Sequence, residues 1–168
     1  ENKQSFHQWL FEKYNFSKFI NKKIKILDVA CGTGVFWKQN AKKMENIDYE
    51  LTMTDFANSM LEKSKNNLEA TNIKANYELA EIEKLEKYKS EFDIVLCHNA
   101  VYHAEDKNLG LENLKNCLND NRESFVGLTT NSEKHMLNVY EIGRKLDRNF
   151  PTDRIIDSWT EEVADKML

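Results

Sequence analysis

A glycine turn set between a short apolar strand and a helix constrains this chain more than any other feature. Residues 24–36 read Ile-Lys-Ile-Leu-Asp-Val-Ala-Cys-Gly-Thr-Gly-Val-Phe. Ile24, Ile26, Leu27 and Val29 form the apolar, mostly β-branched run expected of a strand covered on both faces in a parallel sheet. Helical periodicity begins directly after Gly34. Between the two, Gly32 and Gly34 let the backbone turn sharply and leave no side chain between it and a ligand. A strand, a glycine turn and a helix N-terminus together predict a small-molecule site. The pattern departs from a dinucleotide fingerprint, whose third glycine would fall at position 37, where Trp37 stands. A pyrophosphate cradle is therefore disfavoured.

A second strand is expected at residues 49–55, ending on Asp55, about twenty residues beyond the glycine turn. An acidic side chain there can accept hydrogen bonds from both hydroxyls of a ribose. The same residue type would equally suit a cap for the helix expected at 57–70. A third strand is expected at 74–80. Residues 92–97 form a nearly continuous apolar run, a buried central strand, and polar residues arrive abruptly at His98 and Asn99. Ligands of open α/β sheets lie beyond the carboxyl ends of central strands, so His98 and Asn99 face the crevice that holds the glycine turn. A packed core histidine and a helix-capping asparagine are the competing readings. Leu111, Leu114 and Leu118 share one face of a helix at 108–118, and residues 124–130 read as a fifth strand.

Asp28-Val-Ala-Cys-Gly-Thr-Gly resembles the first motif of the class I S-adenosylmethionine (SAM) methyltransferases, with Ala30 where that family usually carries glycine. Further matches follow: Asp55-Phe-Ala-Asn-Ser-Met60-Leu, then Glu81-Ile82-Glu-Lys-Leu85, then Phe92-Asp-Ile-Val with Val101-Tyr102-His103 beyond it. The resemblance implies a Rossmann-like three-layer α/β/α fold with a mainly parallel sheet and SAM as cofactor. It implies that the backbone of Ala30, Cys31, Gly32, Thr33 and Gly34 lies against the methionine and ribose of SAM, with Asp28 orienting the loop and the SAM ammonium. Phe56 would flank the adenine and Met60 would belong to the cofactor site, with Glu81 taking the adenine amino group and the Ile82 N–H a ring nitrogen. The likeness extends over about residues 24–148. It lacks the Asn/Asp-Pro-Pro-aromatic signature of base amino-methylating enzymes and the Pro-Cys nucleophile of cytosine C5 enzymes, and Cys97 reads as a small buried hydrophobe.

Other features bound the partners. With 168 residues the chain is long enough for about one domain. We expect a helical cap at 1–22, the SAM-binding domain at 23–148 and a helical extension at 149–168. No segment after Leu146 alternates as the family's closing β-hairpin would, so those strands are expected to be missing and the chain truncated. A net charge of −4 offers nucleic acid or an anionic membrane no general attraction, although Lys18, Lys22, Lys23 and Lys25 cluster before the first strand. Three scattered cysteines match neither a metal site nor a disulfide framework and suit the cytoplasm. No apolar run is long enough to span a membrane. The aromatic-rich stretch at 1–21 reads as an amphipathic helix from which Trp9 or Tyr14 could reach the ligand, core packing being the alternative. Thr130-Asn-Ser-Glu133 matches a capping box, placing His135 in the first turn of a helix that leaves the ligand edge of the sheet. Ser158-Trp-Thr-Glu161 matches another, opening a final helix.

The expected activity is methyl transfer from SAM to an oxygen or nitrogen of a small molecule, with His103 and His135 as candidate general bases. A SAM-binding protein without turnover is the alternative, and a nucleotide-dependent oxidoreductase a more distant one. The sequence leaves the oligomeric state open.

Overall fold

The computed structural model describes residues 4–19, 21–132, 134–135, 137–147, 159–161 and 163–164. Expectations for Ile20, Glu133, Met136, Phe150, Pro151 and Ser158 lie outside these residues, as do those for the last four.

Five strands form one sheet: β1 (Ile24–Val29), β2 (Tyr49–Asp55), β3 (Asn76–Leu79), β4 (Ile94–His98) and β5 (Phe125–Thr129). Their order is β3-β2-β1-β4-β5, and every pair is parallel. The chain fills the sheet outward from β1 to β3, then returns to the other side of β1 with β4. This reversal leaves a crevice beyond the carboxyl ends of β1 and β4, the usual ligand position in open α/β sheets. Register aligns those ends, since Asp28 lies opposite Met53 on β2 and Leu96 on β4.

Helices α1 (Phe6–Tyr14), α2 (Val35–Asn40) and α3 (Asn58–Leu68) pair in sequence with the strands they flank, and α4 (Lys107–Asn116) and α5 (Leu137–Leu146) follow β4 and β5. Successive strand residues point to opposite faces, so β1 supplies Ile24 and Ile26 to one apolar cluster and Leu27 and Val29 to the other. The first cluster takes Leu10 and Phe11 of α1 and Phe36 and Trp37 of α2. The second takes Leu114 of α4, Tyr88 and Trp159. Each fully buried aliphatic side chain contributes roughly 1.5–3 kcal/mol, which is why a one-residue slip of β1 is forbidden.

Several boundaries differ from the sequence reading for identifiable reasons. α1 begins at a capping box that the sequence reading did not include: the Ser5 hydroxyl accepts from the Gln8 N–H, and the Gln8 side chain accepts from the Ser5 N–H. It ends at Asn15, whose φ of 50° is left-handed, and a 3₁₀ turn, Phe16–Phe19, replaces the expected continuation. α2 gives way after Asn40 to the 3₁₀ turn Ala41–Met44. The buried Asn40 amide donates to the carbonyls of Phe36 (2.8 Å) and His7 (3.1 Å), so its side chain competes for backbone acceptors at that turn. The helix expected from Thr130 starts only at Leu137. Thr130 donates its hydroxyl to the Trp159 carbonyl, and Asn131 bridges to Thr160, so neither is available to cap a helix.

Gly127 of β5 faces Tyr14. A Cβ there would lie 2.7 Å from the tyrosine ring and 2.8 Å from Leu96 Cδ2. Gly127→Ala is expected to destabilise the protein by about 1–3 kcal/mol through overpacking, measured by urea unfolding. Unchanged stability would mean that α1 does not press on the sheet at this point.

Candidate functional site

The glycine turn is held from β2. Asp55, buried at the end of that strand, accepts the Gly32 N–H on one carboxylate oxygen (2.9 Å) and the Ala57 N–H on the other (2.9 Å). The acidic residue at the end of the second strand thus fixes both the glycine turn and the start of α3, leaving each oxygen one further lone pair. Cys31 donates its N–H to the Thr54 carbonyl (2.9 Å), and Asn67 of α3 donates to the Thr33 carbonyl (2.9 Å).

Gly32 and Gly34 have φ of +55° and +70°. A Cβ on Gly34 would collide with the Ser64 hydroxyl, so that glycine is required by the packing of α3. A Cβ on Gly32 would meet nothing within 4 Å. The approach to this backbone is therefore open, as close contact with a ligand demands. Ala30 is also left-handed, with φ of 55°, which accounts for the glycine usual at that place in the resembled motif.

Asp28 is buried beneath the turn. Its Oδ2 accepts the indole N–H of Trp37 at 2.7 Å, so the tryptophan at the third-glycine position is bound to the motif's own carboxylate. Burial pushes the Asp28 carboxyl up to about 7. The Trp37 hydrogen bond opposes that rise and the nearby Asp55 charge adds to it. The Cys31 thiol is pushed well above its ordinary value by burial, then by Asp28 and Asp55, which argues against a thiolate nucleophile.

Next to the turn lies a cavity of about 620 Å³. Ala30, Phe56, Glu81, Ile82 and His103 line it together with Val29, Ala80, Ala100 and Ala104. Phe56 is 65% exposed. Glu81 pairs with Lys84 at 2.8 Å on the rim, and Glu83, Glu105 and Asp106 add further carboxylates. His103 ends a 3₁₀ turn, Val101–His103, its ring against Tyr102.

Other candidates lie apart from this cavity. Met60 is half-buried in α3. His98 packs against Tyr14 and Phe36, its Nε2 2.8 Å from the Tyr14 hydroxyl and its ring parallel to the tyrosine. Burial lowers its pKa to about 4, leaving a neutral imidazole beside the hydroxyl. Asn99, with a left-handed φ of 50°, donates its N–H to Thr129. His135 sits in an exposed turn two residues before α5, not in the first turn of a helix as its capping box suggests, and is not among the described residues that line the cavity. Trp37 beneath the turn, and Glu83, Glu105 and Asp106 beside Glu81 on the rim, are not among the candidates read from the sequence. The sequence signal for Trp37 was its departure from the three-glycine pattern.

A parallel sheet with this switch point, a glycine turn tied to an acidic residue on β2, and a cavity beside them define the class I methyltransferase arrangement. Residues 26–121 match the family described as Methyltransferase domain, and the chain belongs to that family. It is 30% identical over 105 residues to a ubiquinone biosynthesis O-methyltransferase of Coxiella burnetii, covering 62% of this chain and 42% of that protein. Over 120 residues it is 31% identical to a tRNA U34 carboxymethyltransferase of Campylobacter fetus, covering 69% of this chain and 41% of that one. The matched stretch thus spans about two fifths of either relative. Among solved structures, the CMeT domain of the citrinin polyketide synthase superposes with a TM-score of 0.70 at 17% identity, covering 95% of this chain and 44% of that one. The DszA carbon methyltransferase gives 0.61 at 20% identity, with 85% and 35% covered.

Proposed function

We propose that this chain forms the SAM-binding domain of a methyltransferase that moves the methyl group of SAM to an oxygen or nitrogen atom of a small molecule. The observation that carries this reading is the open approach to Gly32, whose backbone is held by Asp55 through its N–H. A ligand can lie directly on this turn, with its ribose within reach of the free lone pairs of Asp55. Adenine would occupy the cavity, with Phe56 against its face and Glu81 and Ile82 at its edge.

SAM supplies a sulfonium leaving group, so the protein's task is to align acceptor, methyl and sulfur and to exclude water. The acceptor's lone pair forms the new bond to carbon as the carbon–sulfur pair departs with S-adenosylhomocysteine. A hydroxyl acceptor must also lose its proton, and this reading assigns that proton to His103, which lines the cavity. The rim carries Glu81, Glu83, Glu105 and Asp106, and among the described lining residues one lysine, Lys84. Such a rim repels phosphates, which supports a small-molecule acceptor over nucleic acid. The free thiols of Cys31, Cys97 and Cys117 support a cytoplasmic setting. No helix among the described residues is long and apolar enough to cross a membrane.

Small amines, phenols and hydroxy compounds should be screened for S-adenosylhomocysteine release. With a hydroxyl acceptor, His103→Asn is expected to lower turnover by roughly 10²-fold while SAM affinity stays within about threefold. His135→Asn should react at the wild-type rate. SAM binding without release for any acceptor would favour a binding protein without turnover.

A further inference from the structure

The buried face of α4 carries two residues that packing on an apolar sheet does not call for. Gly110, Asn113 and Leu114, with Cys117 just beyond the helix, share that face, yet only Leu114 is a large apolar residue. Gly110 and Asn113 both meet Ile82, in the turn that follows β3. The Asn113 amide donates to the Ile82 carbonyl at 3.2 Å. A Cβ on Gly110 would lie 3.3 Å from Ile82 Cδ1, so the missing side chain lets the helix approach that residue closely. Two more contacts hold the same turn: the Cys117 thiol lies 3.9 Å from the Leu85 carbonyl, and the Glu83 carboxylate accepts the Glu105 N–H at 2.7 Å. With its carbonyl held, Ile82 keeps an N–H that finds no acceptor among the described residues. Glu81, Ile82 and Glu83 all line the cavity. A buried asparagine is costly unless it is bonded, and a backbone N–H without an acceptor on a cavity wall is a group that a ligand can use.

We propose that Asn113 is a positioning residue for base selection: by holding the Ile82 carbonyl it fixes the Ile82 N–H and the adjoining Glu81 carboxylate at the spacing that accepts an amino-bearing purine and rejects an oxo-bearing one. This rests on the reading of the cavity as the adenine end of a SAM site. Selection there is a matter of hydrogen-bond sense. An adenine edge offers an amino donor to the carboxylate and a ring nitrogen acceptor to the N–H. Hypoxanthine offers a carbonyl oxygen and a ring N–H at the same two places, so acceptor meets acceptor and donor meets donor. Such a double mismatch discriminates only while the two protein groups keep their places relative to each other. The Glu81 carboxylate pairs with Lys84, inside the same turn, and that pair cannot fix the turn against the sheet. The anchorage comes from α4, and Asn113 is the buried polar side chain that supplies it.

Isothermal titration of the full chain with S-adenosylhomocysteine and with S-inosylhomocysteine, which carries hypoxanthine in place of adenine, tests the proposal. The wild-type protein should prefer the adenine ligand by about 10²-fold or more. Asn113→Leu keeps the bulk of the side chain and removes the donor. It should lower affinity for S-adenosylhomocysteine about tenfold and leave that for S-inosylhomocysteine nearly unchanged, so the preference narrows by about tenfold. Asn113→Gln, which keeps the amide on a longer arm, should recover part of the preference. If Asn113→Leu fails to fold, Asn113→Asp has the same shape without the amide donor and should show the same narrowing. An asparagine that only stabilises the fold would lower the urea midpoint and leave the preference where it was. The wild-type preference in a folded donor-less variant therefore overturns the role of Asn113, and so does an equal loss of both ligands. Equal wild-type affinity for the two ligands overturns base selection by this turn while the SAM reading stands. A wild-type protein that binds neither ligand overturns the SAM reading, and this inference with it.

Discussion

Gly32→Val should abolish cofactor binding in a protein that still folds. The backbone at Gly32 has φ of +55°, a conformation that a β-branched residue adopts only under strain of roughly 1–2 kcal/mol or more. Space is not the obstacle to folding, because a Cβ there meets no other part of the chain. The valine methyls would instead fill the approach through which a ligand reaches the turn. We expect affinity for S-adenosylhomocysteine to fall by roughly 10³-fold or more, about 4 kcal/mol, while the urea midpoint falls only by the strain. Calorimetry and urea unfolding on one preparation check both halves. Wild-type affinity in the valine variant would remove this turn from the site.

Asp55→Ala should weaken binding on two counts. The proposed bonds to the ribose hydroxyls disappear, and the Gly32 and Ala57 N–H groups lose the acceptor that holds the turn. Loss of charge-assisted bonds to the ligand costs about 1.5–3 kcal/mol, on the order of tenfold to more than a hundredfold in affinity. Orphaned backbone donors should lower stability by about 1–3 kcal/mol as well. Asp55→Asn separates the effects, since its amide oxygen can keep one backbone donor but the carboxylate charge is gone. Unchanged affinity in a folded Asp55→Ala would sink the ribose assignment.

The layout of the sheet was legible because strands buried on both faces write themselves as apolar runs, as in residues 24–29 and 94–98. The carboxyl ends of all five strands, which matter most for the site, fall within a residue of their expected positions. Helix ends were less legible, since they depend on side chains reaching across the fold. Nothing near Asn40 in sequence announces that its amide will bond to His7, and nothing near Thr130 announces Trp159. The same blindness misplaced His135, whose capping box was a good local pattern with a better distant competitor. At the site, Ala30, Phe56, Glu81, Ile82 and His103 were singled out through the family resemblance, and they come to line one cavity because each lies beyond the carboxyl end of a strand. The pairing of Trp37 with Asp28 was beyond a linear reading. Nine residues separate them, and the contact exists only once α2 folds back against β1.

Calorimetric titration of the wild-type chain with S-adenosylhomocysteine, SAM, NAD and NADP tests the central claim most directly. The expected result is one-to-one binding of S-adenosylhomocysteine and SAM, with no detectable binding of either dinucleotide. Binding of NAD or NADP, or no binding of S-adenosylhomocysteine, would contradict the account.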